Sequence, residues 1–188
     1  MRKPLFIGAT AICAGALMSL NVASAAEPGS AKGTHSEQHF MREAAQGGMA
    51  EVQLGQLAAQ QAANADVKNF GQRMVDDHSK ANDELNQLAK SEDVTLPTTV
   101  DKKTTATQQR LSKLSGADFD RAYMGEMVKD HKKDVAAFER EAAQAKDPDV
   151  KQWAANTLPT LKEHLDLAQK TAEKVGVKLS AAEKSSER

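Results

Sequence analysis

Cysteine is almost missing from this chain: the only one, Cys13, lies in an apolar run near the start. It comes early and stands behind Ile12, where a lipid-modified cysteine needs a small residue, so a lipoprotein anchor is disfavoured. The chain beyond that run folds without disulfides, and a packed core must hold it. Aromatic residues are scarce too, at 4%, and there is little excess charge, the formal net value being -1 over 188 residues. That balance gives no electrostatic case for nucleic acid and describes one domain of helix-favouring material. Also lacking are a nucleophile paired with a base, a phosphate loop and a nucleotide fingerprint.

The residues that are present begin with an address. Arg2 and Lys3 precede the apolar run Leu5 to Val22, which closes on Ala23-Ser24-Ala25, the three-part pattern of a secretory signal peptide. Cleavage is expected after Ala25 or Ala26, which gives residues 1–25 as signal and a periplasmic or secreted product. Losing the two cations takes the formal charge from -1 to -3. No integral membrane segment is expected after removal.

Residues 26–36 read as a flexible leader and 176–188 as a polar tail. Between them, 37–175 carry four long helical patterns. The first, about Ser36 to Ala63, repeats Phe40, Ala44, Gly47, Glu51, Leu54 and Ala58 at the three-and-four spacing of a helical seam. Gly47, Gly48 and Gly55 fit close packing within the chain; Gly47-Gly48 would also suit a contact between copies in a homo-oligomer. The second pattern, capped by Asp66, runs to about Ser91 with His78 mid-stripe among Val67, Gly71, Met74, Ala81, Leu85 and Leu88.

Glu92 to Gly116 is Thr-rich and holds Pro97, with at most a short helix near Thr105 to Leu114. The third long helix, about Asp118 to Ala145, places His131 between Val128 and Val135. Asp147 and Pro148 open the fourth, which reaches Val175 with His164 on the flank of its stripe and Pro159 expected to bend it. Short, long and short connections predict an all-α, ferritin-like four-helix bundle: two antiparallel hairpins joined by a long crossover.

The chemistry sits in an echo. Met74-Val75-Asp76-Asp77-His78 returns as Met127-Val128-Lys129-Asp130-His131, with Phe70 or Tyr123 four residues upstream each time. Helical rise puts Glu51, His78, His131 and His164 near one level, one from each helix. One reading is a metal site with these four as ligands. Asp77, Asp130 and Glu163, each preceding a histidine and pointing about 100° away from it, would then orient imidazoles on neighbouring helices. Imidazole with one carboxylate suits copper, zinc or iron, and Met74 and Met127 would favour Cu(I) if their sulfurs take part. The other reading is a metal-free buried network, with Glu51 paired to a histidinium and Tyr123 joining, in a structural or interaction bundle of the envelope. A redox enzyme ranks third. A di-iron oxidase needs Glu-x-x-His, and the positions three before the histidines are Val75, Val128 and Leu161.

The runs Gly48-Met49-Ala50-Glu51-Val52-x-Leu54-Gly55, Met74-Val75-x-Asp77-His78, Phe119-Asp120-x-x-Tyr123, Asp130-His131 and Leu158-Pro159-x-Leu161-x-x-His164-Leu165 resemble the bacterial domain-of-unknown-function family 4142. The resemblance spans about Gln38 to Val175. It implies export and the ferritin-like superfamily, and no biochemical activity. Members are often labelled outer membrane proteins, yet alternating transmembrane strands are missing from the sequence. The Phe119-to-His131 stretch is also similar to a second exported ferritin-like family, linked to copper, which carries His-His where this chain has Asp130-His131.

Overall fold

The computed structural model describes residues 33–181. The expected signal peptide, the leader up to residue 32 and the tail from residue 182 lie outside the described residues. Five helices succeed one another: α1 (His35–Gln61), α2 (Ala65–Ser91), α3 (Lys102–Leu111), α4 (Gly116–Gln144) and α5 (Pro148–Lys174). There is no strand among the described residues. The all-helical expectation holds, and each boundary falls within one turn of its expected place.

Local chemistry sets the ends. Thr34 caps α1 in a reciprocal box with Glu37, so the expected leader is already ordered at its last residues. Asn64, rather than Asp66, caps α2, its side chain accepting from the Asp66 amide at 2.8 Å. Asp101 caps α3, and Asp147 caps α5 ahead of Pro148. The last helix runs unbroken past Pro159, whose ring is exposed.

Two carboxylates lock the opposite ends of the molecule. Glu37 of α1 accepts from the amides of Lys146 and Asp147 in the α4–α5 turn, at 2.5 and 3.0 Å. Asp120 of α4 accepts from Ala63 and Asn64 in the α1–α2 turn, at 3.0 and 2.9 Å. These bonds place the start of α4 beside the end of α1, so the two helices run antiparallel. Burial pushes the Glu37 carboxyl up, but the bonds from Asp147, Thr34 and Lys146 outweigh it and hold it at about 2.

The backbones of α1 and α2 approach closely at two glycines. A β-carbon on Gly55 would lie 2.7 Å from the Gly71 carbonyl oxygen, and one on Gly71 would lie 2.8 Å from the Ala58 β-carbon. On α1 the expected stripe is buried at Phe40, Glu51, Leu54 and Ala58, but Ala44 and Gly47 are half-buried, and Met41, Ala45 and Gly48 beside them are buried instead. The reason is that α1 packs on both α2 and α4, and Ala44 and Gly47 line a cleft on the α4 side.

The connection from α2 to α4 is stitched along α1. Arg42 Nε donates to the Thr95 carbonyl, Gln46 Nε2 to the Thr99 carbonyl and Gln61 Nε2 to the Leu111 carbonyl, at 3.2, 3.1 and 3.3 Å. The crossover therefore runs the length of α1. The core divides into two apolar clusters, one around Phe70, Phe119, Tyr123 and Met127, the other around Phe40, Phe138 and Trp153. In sequence, Glu51, His78, His131 and His164 each fall between a residue of one cluster and a residue of the other, so they form a polar layer separating the two.

Candidate metal centre

Each long helix contributes one buried polar side chain to that layer. Glu51 is 2% exposed, His78 6%, His131 0% and His164 1%. The ring centroids of His78 and His131 are 5.7 Å apart, His78 and His164 5.3 Å, and His131 and His164 5.4 Å. One nitrogen from each ring lies within 4.8 Å of the other two. Glu51 stands beside the trio: its Oε1 is 3.9 Å from His131 Nδ1, too far for a hydrogen bond.

The outer nitrogens of two rings are fixed. His131 Nδ1 is 2.9 Å from the Met127 carbonyl oxygen, so it carries the proton and donates. His164 Nε2 is 2.7 Å from Asp77 Oδ2, and Arg73 Nε donates to the same oxygen at 3.1 Å. The inner nitrogens are left over: His78 Nε2, His131 Nε2 and His164 Nδ1 are buried and bond to nothing among the described residues. Glu51 Oε2 and the Tyr123 hydroxyl are orphaned in the same way.

Burial lowers the basicity of all three imidazoles. His78 falls well below its ordinary value through burial and then the charges of His131 and His164, while burial takes His131 down to about 3. His164 is lowered by burial against the opposing pull of Asp77. Burial raises Asp77, but its bonds to His164 and Arg73 more than reverse this and leave it ionised. All three rings are therefore neutral at neutral pH, the form that binds metal. Burial also raises the Glu51 carboxyl well above its usual range, helped by Asp134 and Asp130. Tyr123 is raised by burial, then by Glu51.

The other candidates are spread around this layer. Asp130 is half-buried in the cleft between α1 and α4 and touches no imidazole. Glu163 is 66% exposed and pairs with Arg73 at 2.8 Å, which puts it two steps from His164. Met74 and Met127 lie in the apolar cluster, and Met127 meets the site through its carbonyl. Sequence reasoning passed over Arg73 and Asp134. Both had a spacing signal: Arg73 lies one turn before Asp77, and Asp134 one turn after His131. Burial and then the Asp130 charge raise Asp134 to about 7.

The domain of unknown function DUF4142 matches residues 22–171. The chain belongs to this family. No curated protein matches it. Two solved structures share the fold of this DUF4142 chain. A DUF305 fragment from Deinococcus radiodurans aligns with a TM-score of 0.68 at 13% identity, over 77% of this chain and 99% of its own. A protein described as a putative spore coat protein from Bacillus halodurans aligns with a TM-score of 0.63 at 12% identity, over 80% and 94%. At such identities the likeness concerns the fold alone.

The residues of this DUF4142 chain fit a transition-metal ion. A tetrahedral ion with bonds of about 2.0–2.1 Å holds its donors about 3.3 Å apart, so nitrogens within 4.8 Å of one another need to draw in by no more than about 1.5 Å. Two of the rings are already oriented by a carbonyl and a carboxylate, the usual outer partners of metal-bound histidine. Three imidazoles suit copper, zinc or iron and leave a coordination position for water or a further ligand.

Proposed function

We propose that this chain is an exported, ferritin-like four-helix bundle that binds or stores a transition metal at His78, His131 and His164. The observation that carries this is the set of three buried, unbonded nitrogens on three rings whose centroids lie 5.3, 5.4 and 5.7 Å apart. A buried nitrogen without a partner costs about 1–3 kcal/mol, and three at one point call for a shared partner. A metal-free network would satisfy them by bonds among themselves or to Glu51, and no such bond is present among the described residues. Asp77 and Arg73 serve by holding His164, and Glu51, whose Oε1 lies 3.9 Å from the outer nitrogen of His131, is a candidate fourth donor once its side chain turns towards the trio. The signal pattern in residues 1–25 supports a periplasmic or secreted location. The crossover between two hairpins supports the ferritin-like assignment.

Elemental analysis of protein loaded with copper, zinc or iron tests this. One equivalent per chain, lost in His78→Ala and in His131→Ala, is the expected result. No stoichiometric metal under any loading would refute it.

A further inference from the structure

The polar layer is approached from a side that is acidic. A cleft of about 310 Å³ opens between α1 and α4 beneath the start of α3. Among its lining residues, Glu43 pairs with Lys133 at 3.7 Å and Glu126 with Arg110 at 2.5 Å. Four more acids line it: Asp101, which caps α3, and Glu51, Asp130 and Asp134, none of them in an ion pair with a lysine or arginine among the described residues, although Lys103 also lines the cleft. Glu51 is at its floor, buried, with Oε2 unbonded.

One contact and one shared cavity link the cleft to the histidines. Glu51 Oε1 lies 3.9 Å from His131 Nδ1. Asp134 lines the cleft and also a small cavity of about 30 Å³ that His78 lines too. The opposite face is closed to cations: there Arg73 sits over the Asp77–His164 pair, bonded to Asp77 and Glu163. Above and below, the apolar clusters exclude a hydrated ion.

The geometry points to the α1–α4 cleft as the port through which a divalent cation reaches the histidines, with Glu51, Asp130 and Asp134 as its holding point. This rests on the three-histidine reading. Carboxylate oxygens take up a dication while it keeps part of its water, and because burial raises the Glu51 and Asp134 carboxyls, uptake there releases protons. Asp134 then passes it towards His78, where softer nitrogen donors displace the remaining water. Six acids against Lys103 and Lys133 line the cleft. Such an excess of one charge sign raises capture rates by about 10–10³-fold, and the effect weakens with salt.

Stopped-flow uptake of cobalt(II) alone by the full chain, monitored through its visible absorption, tests the port. Relative to wild type, the double variant Asp130→Asn/Asp134→Asn should bind one equivalent with an association rate at least tenfold lower. The Asp76→Asn/Asp83→Asn variant, which removes two exposed acids of α2 outside the cleft, should keep the wild-type association rate, and circular dichroism checks that each variant is folded. Uptake by the double variant at the wild-type rate would overturn the port and leave the histidine site standing. Loss of equilibrium binding in the double variant would also overturn it, by making the acids ligands of the bound ion. A wild-type spectrum unchanged by His131→Ala would overturn the histidine reading itself.

Discussion

Asp77 shows what a single side chain does here. It lies on α2, accepts from His164 on α5, and is kept ionised by that bond and by Arg73. Through it His164 turns Nδ1 inward to the other two rings. Asp77→Asn removes the charge while keeping the shape, so metal affinity should fall about 10–100-fold, as seen when such outer partners are lost. A competition titration against a chromophoric chelator reads this. An unchanged affinity would mean that Asp77 only ties α2 to α5. The histidines and Glu51 were legible in the sequence because polar residues on an apolar stripe stand out. The unbonded nitrogens were not legible, since they depend on ring rotations that packing decides. Glu163 looked equivalent to Asp77 by its place before a histidine, but it faces water.

At the level of helices, spacing and caps carried most of the information. Asp147-Pro148 marked the start of α5 and the Thr-rich stretch marked the crossover, because these residues act through their own backbone. The partial exposure of Ala44 and Gly47 on the α1 stripe was hidden, since two partner helices and a cleft share the surface of α1. The glycines separate packing from propensity. Gly55→Ala places a β-carbon 2.7 Å from a backbone carbonyl on α2, and should destabilise by about 1–3 kcal/mol. Gly125→Ala on α4 meets nothing within 4 Å and should stabilise by about 0.4–1 kcal/mol. Chemical denaturation of the two variants gives opposite signs if the α1–α2 contact is this close. Equal signs would argue against it.

Across the whole molecule, the two hairpins are joined by carboxylates that bond to backbone amides at opposite ends. Neither Glu37 nor Asp120 stood out as a lock in the sequence, where each looks like a surface acid near a helix start. Asp120→Asn should cost about 1–3 kcal/mol of stability, because charge-assisted bonds to two amides of the α1–α2 turn are weakened. Glu37 gives a dependence on pH. Its folded value of about 2 lies below the ordinary 4.5, so the unfolded chain binds its proton first on acidification. The stability it contributes is complete above about 4.5 and is lost as pH falls through about 2. Urea melts of wild type and Glu37→Gln should therefore converge between those limits, with wild type the more stable above them. Parallel curves throughout would remove Glu37 from the acid response.

The whole arrangement, from the end locks to the divided core, holds three imidazoles from three helices at one point. The most direct test is the location of a bound ion, by anomalous diffraction from crystals of the copper- or zinc-loaded chain. The ion should lie about 2.0–2.1 Å from His78 Nε2, His131 Nε2 and His164 Nδ1. A loaded crystal with the metal on other residues, and the three nitrogens bridged by water alone, would contradict the account.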